Sequence, residues 1–246
     1  MVNAEQSTEL PERARRALAS SAVCLLTAAE VSAYVGTDAA GWADFARHWE
    51  ELAPDPYAAE RGTRRARRYG RFRLADGTGD LTPLPHRPFA QPQASNPLYV
   101  TVDRHFAPLT GAFAVDPVLR GLLRLLGGAA AGLADTGAWE AQVHPFRVLA
   151  EAGGGGEPTP EGLHHDGVTL VSALLVDRHN ATGGRTCVVG TDGEPLLETT
   201  LSEPGTLLLG DDRRTVHGVS PVRPLDEGAP AWRDVLVATL IPAGRD

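Results

Sequence analysis

The stretch from His165 to Val219, HDGVTLVSALLVDRHNATGGRTCVVGTDGEPLLETTLSEPGTLLLGDDRRTVHGV, decides the fold. Short apolar runs are separated by Thr182-Gly183-Gly184, Thr191-Asp192-Gly193, Glu203-Pro204-Gly205 and Asp211-Asp212, residue types that favour tight turns. Strands are expected near 165–176, 185–190, 195–201, 205–209 and 215–219. The same pattern reaches outward to 144–150 and 233–241. Short strands at even spacing, with no helix between them, predict a sandwich or barrel rather than a βαβ fold.

Upstream the pattern is helical. Residues 8–52 read as helices, with capping-box spacing at Thr27-Ala28-Ala29-Glu30 and an N-cap at Asp38 ahead of Trp42, Phe45 and Trp49. Asp116-Pro117 reads as N-cap and first helical residue. It leads into Val118, Leu119, Leu122, Leu123, Leu125 and Leu126 at helical spacing. Helices followed by strands predict an α+β class, with N-terminal and central helices buttressing one sheet. One domain over 1–246 is expected, helical over 1–60, with the strand core mainly at 143–241.

Composition excludes several function classes. The 246 residues are 42% hydrophobic and 22% charged, with no apolar run near the ~20 residues that cross a bilayer. Met1 to Glu12 holds three acids and no apolar core of a secretory signal, so a cytoplasmic protein without a membrane partner is expected. All 23 basic residues are arginine, so there is no lysine for a Schiff base or a P-loop. GxSxG and GxGxxG are also missing. Cys24 and Cys187 are too few for a cysteine zinc site or a cluster, and a net charge of −8 argues against nucleic acid.

Two clusters stand out. Residues 61–73 hold seven arginines and no acid. The first reading is a solvated segment pairing with acidic surface; the second is an anion-binding patch. Alternation puts Tyr69, Arg71 and Arg73 on one strand face, with Phe72 and Leu74 on the other. Among the eight histidines, His86 and His105 read as isolated surface or core residues. His164-His165-Asp166 is different. On a strand, His164 and Asp166 share a face while His165 points away. A third ligand has to come from elsewhere in the chain, and His217, on a later strand, is best placed. Two imidazoles and a carboxylate form the facial triad of non-haem Fe(II) oxygenases, which leaves coordination positions open. His48-x-Glu50 has the same spacing but falls in a predicted helix, where i and i+2 diverge by about 200°.

The blocks PTPEGLHHDGVTLVSALLVDRHNATGG (158–184), PGTLLLGDDRRTVHGVSPV (204–222) and WRDVLVATLI (232–241) resemble the 2-oxoglutarate/Fe(II) dioxygenases related to bacterial L-isoleucine dioxygenase. Weaker echoes are RRYGRF (67–72), FAQPQASNP (89–97), DRHFAPL (103–109) and VHPFRV (143–148), so the resemblance spans about 64–241. It implies a double-stranded β-helix, or jelly roll. It also implies Fe(II) on His164, Asp166 and His217, with 2-oxoglutarate and O2 as co-substrates. Decarboxylation of 2-oxoglutarate to succinate and CO2 would then drive hydroxylation of a free L-amino acid or an amino-acid-derived small molecule.

The distal carboxylate of 2-oxoglutarate needs a guanidinium fork. Arg233, opening the last strand, is the first choice and Arg223, in a turn-rich stretch, the second. For a zwitterionic substrate, Arg147 is a candidate carboxylate clamp and Glu161 a candidate ammonium partner; Phe146 and Val148 are then expected on the face opposite Arg147. Gln91, Asn96 and Arg104 fall in the upstream echoes and are candidate cavity residues. His165, Arg178 and Asn180 are expected to tie down the neighbouring loop, and Gly153–Gly156 to form a flexible connection. Two other readings stay open. One is a jelly-roll metalloenzyme using the same three ligands without 2-oxoglutarate; the other is a cupin-like binding module.

Overall fold

A computed structural model of the chain describes residues 4–60, 62–75, 79–89, 103–150 and 155–244. In chain order the elements are α1 (Ala4–Ser21), β1 (Val23–Leu26), α2 (Ala28–Val35), α3 (Ala39–Ala46), a 3-10 turn (Arg47–Glu51), β2 (Ala53–Pro54), α4 (Pro56–Ala59), β3 (Arg65–Arg67), β4 (Gly70–Ala75) and β5 (Leu81–Pro83). They continue as α5 (Gly111–Val115), α6 (Pro117–Ala130), β6 (Ala138–Ala150), β7 (Leu170–His179), β8 (Ala181–Gly183), β9 (Arg185–Gly190), β10 (Pro195–Thr200), β11 (Leu207–Asp211), β12 (Thr215–Val219), β13 (Val222–Pro224) and β14 (Ala231–Pro242). The large antiparallel sheet runs β1-β11-β7-β14-β6-β3-β2, with β4 and β5 added beside β6. A smaller sheet, β10-β9-β12, supplies the second layer, and β13 pairs with β8 as a short ribbon. This is the α+β class that the order of helices and strands predicts, with the jelly roll that the family resemblance implies. No helix among the described residues is long and apolar enough to cross a membrane.

Period-2 alternation divides the large sheet into two working faces. Leu207 and Leu209 of β11, with Leu236, Ala238 and Leu240 of β14, join Leu119, Leu122, Leu123, Leu125 and Leu126 of α6 and Leu18 of α1 in the main core. The intervening Leu208 and Val235 point the other way, into a second cluster with Val188 of the small sheet. Each fully buried leucine contributes about 1.5–3 kcal/mol. Gly128 lets α1 and α6 close on each other, because a Cβ there would lie 2.7 Å from Pro11 Cβ. The helices thus fix one face of the sheet, and the other lines a cavity.

The helix starts follow their capping chemistry. Thr27 and Glu30 make the reciprocal capping box, Asp38 accepts from Gly41 N, and Asp116 accepts from Val118 N and Leu119 N with Pro117 at the first helical position. One stretch departs from the helical reading. Val23–Leu26 is a strand paired with β11, entered through Ala22 in the left-handed region (φ 61°). A four-residue apolar run carries no period of its own, and an open edge on β11 decides its state.

Candidate active site

His164 and His217 lie directly opposite each other in an isolated antiparallel bridge. His164 N donates to His217 O (3.0 Å), and His217 N donates to His164 O (2.8 Å). The predicted strand over 165–176 begins only at Leu170, so the His-x-Asp segment is a loop closed by that bridge. The pairing still converges the side chains. One ligand atom from each of His164, Asp166 and His217 lies within 4.8 Å of the others. Asp166 Oδ1 is 3.8 Å from His164 Nε2, and its Oδ2 is 3.9 Å from His217 Nε2. His165 is exposed.

These residues fit a ferrous ion by their chemistry. His164 Nδ1 sits 2.9 Å from Gly162 O; a proton there leaves Nε2 free as a ligand. Burial pushes the His217 imidazole below its ordinary pKa, keeping it in the neutral, ligating form. One carboxylate and two neutral imidazoles, without thiolate, suit Fe(II) and leave one side of the ion open to the cavity.

Asp212 holds the loop that carries Asp166, a role not legible in the sequence. Its buried carboxylate accepts from Asp166 N (3.1 Å), Gly167 N (2.8 Å) and Val168 N (2.9 Å). Asp212→Asn would face at least one of these N–H groups with an amide nitrogen, because both carboxylate oxygens accept. Iron affinity is expected to fall roughly 10- to 100-fold, measured by dialysis against a chelator, with the circular dichroism spectrum unchanged.

A cavity of about 330 Å³ opens from the triad and runs over the inner face of the large sheet. Arg233 lines it, only 3% exposed and without a carboxylate partner among the described residues. Burial, and then the neighbouring Arg178 charge, push its pKa down to about 10. Arg178 is fixed by donating to Ala181 O (2.9 Å) and Gly183 O (2.7 Å). Gly184, at φ +67°, leaves room for both side chains: a Cβ there would lie 3.2 Å from Arg233 Cδ and 3.3 Å from Arg178 Nη1. Asn180 ties the turn down by donating to Asp226 O and Ala229 O.

The other predicted residues divide sharply. Arg223 is exposed on β13 and does not line the cavity. Glu161 lines it, with Oε1 3.6 Å from His164 Nε2. Arg104 is buried and lines it, whereas Gln91 and Asn96 lie outside the described residues. The Arg147 expectation is corrected. Its guanidinium points away from the cavity, into Asp234 (2.9 and 2.7 Å) and Glu50 (2.8 Å). Asp234 is its register partner on β14, so the two meet on the same face. Phe146 and Val148 therefore face the cavity, together with His144. The His48-x-Glu50 rival is also spent: His48 pairs with Asp116 at 3.0 Å, and Glu50 pairs with Arg147.

The arginine-rich stretch is packed into the fold instead of lying along a solvated surface. Arg71 pairs with Glu140 and Arg65 with Asp55, but Arg65 and Arg67 also line the cavity. Tyr69 is buried against Phe89 and Phe106.

A jelly roll with two histidines and one aspartate at a cavity mouth belongs to the mononuclear non-haem iron oxygenase class. The sequence profile of the 2OG-Fe dioxygenase family matches residues 46–239, and the chain belongs to that family. It is a dioxygenase that uses ferrous iron and 2-oxoglutarate on a small-molecule substrate. Among solved structures, a bsmA homolog from Methylobium petroleophilum PM1 is 35% identical, over 96% of this chain and 94% of that one, with a TM-score of 0.85. IDO from Bacillus thuringiensis shares the fold at 18% identity, 96% coverage of each chain and a TM-score of 0.76. The Fe(II)/α-ketoglutarate-dependent dioxygenase TqaL does so at 17% identity, 99% of this chain, 90% of that one and a TM-score of 0.77. Among curated proteins, none matches the sequence.

Proposed function

We propose that this dioxygenase hydroxylates a free amino acid or an amino-acid-derived small molecule. In this reading His164, Asp166 and His217 hold the iron, and Arg233 receives the distal carboxylate of 2-oxoglutarate. The observation that carries it is the joint placement on one cavity of three convergent metal-ligating atoms and a buried guanidinium without a carboxylate partner among the described residues. When bound, the iron and the keto acid supply the oxidising power for attack on an unactivated C–H bond. The chain's own residues do the rest. Gly162 O orients His164, Asp212 holds the Asp166 loop, and Arg233 offers a fork matched to a carboxylate. Phe146, Val148, Val188 and Val235 line the cavity with apolar surface that excludes water around the reacting carbon.

The test is a panel of amino acids and their N-acyl and deaminated derivatives, incubated aerobically with Fe(II) and 2-oxoglutarate. The expected result is a product 16 mass units heavier that forms together with succinate. Succinate release with every compound left unmodified would count against the proposed substrate range.

A further inference from the structure

The cavity holds a second cationic station, which neither the iron nor 2-oxoglutarate accounts for. In register across the large sheet, Arg65 lies beside Val148, and Val148 beside Arg233; one step along, Arg67 lies beside Phe146, and Phe146 beside Val235. Strands in a sheet are about 4.8 Å apart, so β3 stands roughly 10 Å from β14 on the same wall. Arg67 is 3% exposed, and its guanidinium carbon lies 3.6 Å from the Phe106 ring centre and 4.3 Å from that of Phe146. The two rings clamp the fork in place. Arg104 lines the same end, its guanidinium carbon 4.9 Å from the Phe89 ring centre.

Among the described residues, Arg67 has a donor to spare, and no carboxylate at this end of the cavity is left over for a cation. The carboxylate near Arg67 is Asp55, 3.9 Å from Nη1, and it is already engaged. Its Oδ2 is 2.8 Å from Arg65 Nε, and its Oδ1 accepts from Tyr57 N and Ala58 N. Arg67 Nε is buried with no hydrogen-bond partner among the described residues. Arg67 Nη2 donates to His144 Nδ1, so that nitrogen carries no proton, and burial together with the Arg67 charge holds the ring neutral. The cavity-lining carboxylates among the described residues, Glu161 and Asp166, both stand beside His164 instead. An α-ammonium on a carboxylate bound here would enter a field of guanidinium groups.

We propose that Arg67, with Arg104 beside it, is the substrate's anion subsite, and that it takes the carboxylate of an acid with no free ammonium on the adjacent carbon. An N-acylated or deaminated amino-acid skeleton with an apolar body meets that description. The inference rests on the reading above, that the substrate is derived from an amino acid, and narrows it.

The experiment is calorimetric titration of the protein, loaded with Fe(II) and 2-oxoglutarate under nitrogen. The probes share one carbon skeleton: N-acetyl-L-leucine, 4-methylpentanoate and L-leucine. The two acids are expected to bind at least tenfold more tightly than L-leucine. Arg67→Gln is expected to weaken them at least tenfold and to leave 2-oxoglutarate affinity within twofold, with Arg67→Lys intermediate. The proposal is overturned if L-leucine binds as tightly as the acids, if neither acid binds, or if folded Arg67→Gln keeps their affinity. The comparison of probes on the unmodified protein decides even if the variant does not fold. Titration of the iron-loaded protein with 2-oxoglutarate alone reads the dioxygenase assignment separately: failure of that keto acid to bind would sink the assignment and leave the acid preference to stand or fall by itself.

Discussion

His164→Ala and Asp166→Ala are each expected to abolish succinate formation that depends on ferrous iron, a loss on the order of a thousandfold or more. The reason is geometric. Asp166 stands between the two imidazoles, 3.8 Å from His164 and 3.9 Å from His217, so removing either residue leaves two ligands on one side of the ion. The fold should be almost untouched. The backbone bridge between residues 164 and 217 needs no side chain, and Asp212 binds backbone N–H groups, not the Asp166 carboxylate. The melting temperature without metal should therefore match that of the parent to within what about 1 kcal/mol allows. Two readouts check the prediction: iron bound per chain after desalting, and succinate formed per chain. Variants that turn over like the parent would remove the triad from the mechanism. A variant that loses turnover and also unfolds would show that the loop is structural.

Much of the site was legible because turn residues and alternation act locally. Asp116-Pro117 and the Thr27 capping box each state their geometry within a few residues. The His-x-Asp pair was readable even though the strand assigned to it was not there, because a loop closed by the bridge to His217 converges the same two side chains. Arg147 shows where local reading stops. Both faces of β6 are buried against something, helices and 3-10 turn on one side and cavity on the other, so alternation separates His144, Phe146 and Val148 from Arg147 without saying which set faces inward. That choice is made by Asp234 and Glu50, 87 and 97 residues away in sequence. Arg67 was hidden for a similar reason. In a run of seven arginines nothing marks the one whose ring partners, Phe106 and Phe146, come from distant segments.

Arg233→Met and Arg223→Met are expected to separate cleanly. Arg233 is buried at the cavity wall, whereas Arg223 is exposed on a two-stranded ribbon. Breaking a buried guanidinium–carboxylate pair costs about 3 kcal/mol, so Arg233→Met should weaken 2-oxoglutarate roughly a hundredfold, and Arg223→Met should leave it unchanged. The free protein gives a second, opposite-signed signal. Burial and the Arg178 charge push Arg233 down to about 10, which means that its charge is held at a cost while no carboxylate among the described residues faces it. A methionine of similar volume removes that cost. The Arg233→Met variant should accordingly melt no lower than the parent without 2-oxoglutarate, and should lose most of the rise that saturating 2-oxoglutarate gives the parent. Thermal melts with and without the keto acid, in protein loaded with Fe(II) under nitrogen, read both effects together. Iron content should stay at the parental level throughout, because Arg233 is not one of the three convergent ligand residues. If instead the Arg223 variant loses the 2-oxoglutarate-induced shift and the Arg233 variant keeps it, the carboxylate lies at the ribbon, and the buried arginine has some other anion to meet.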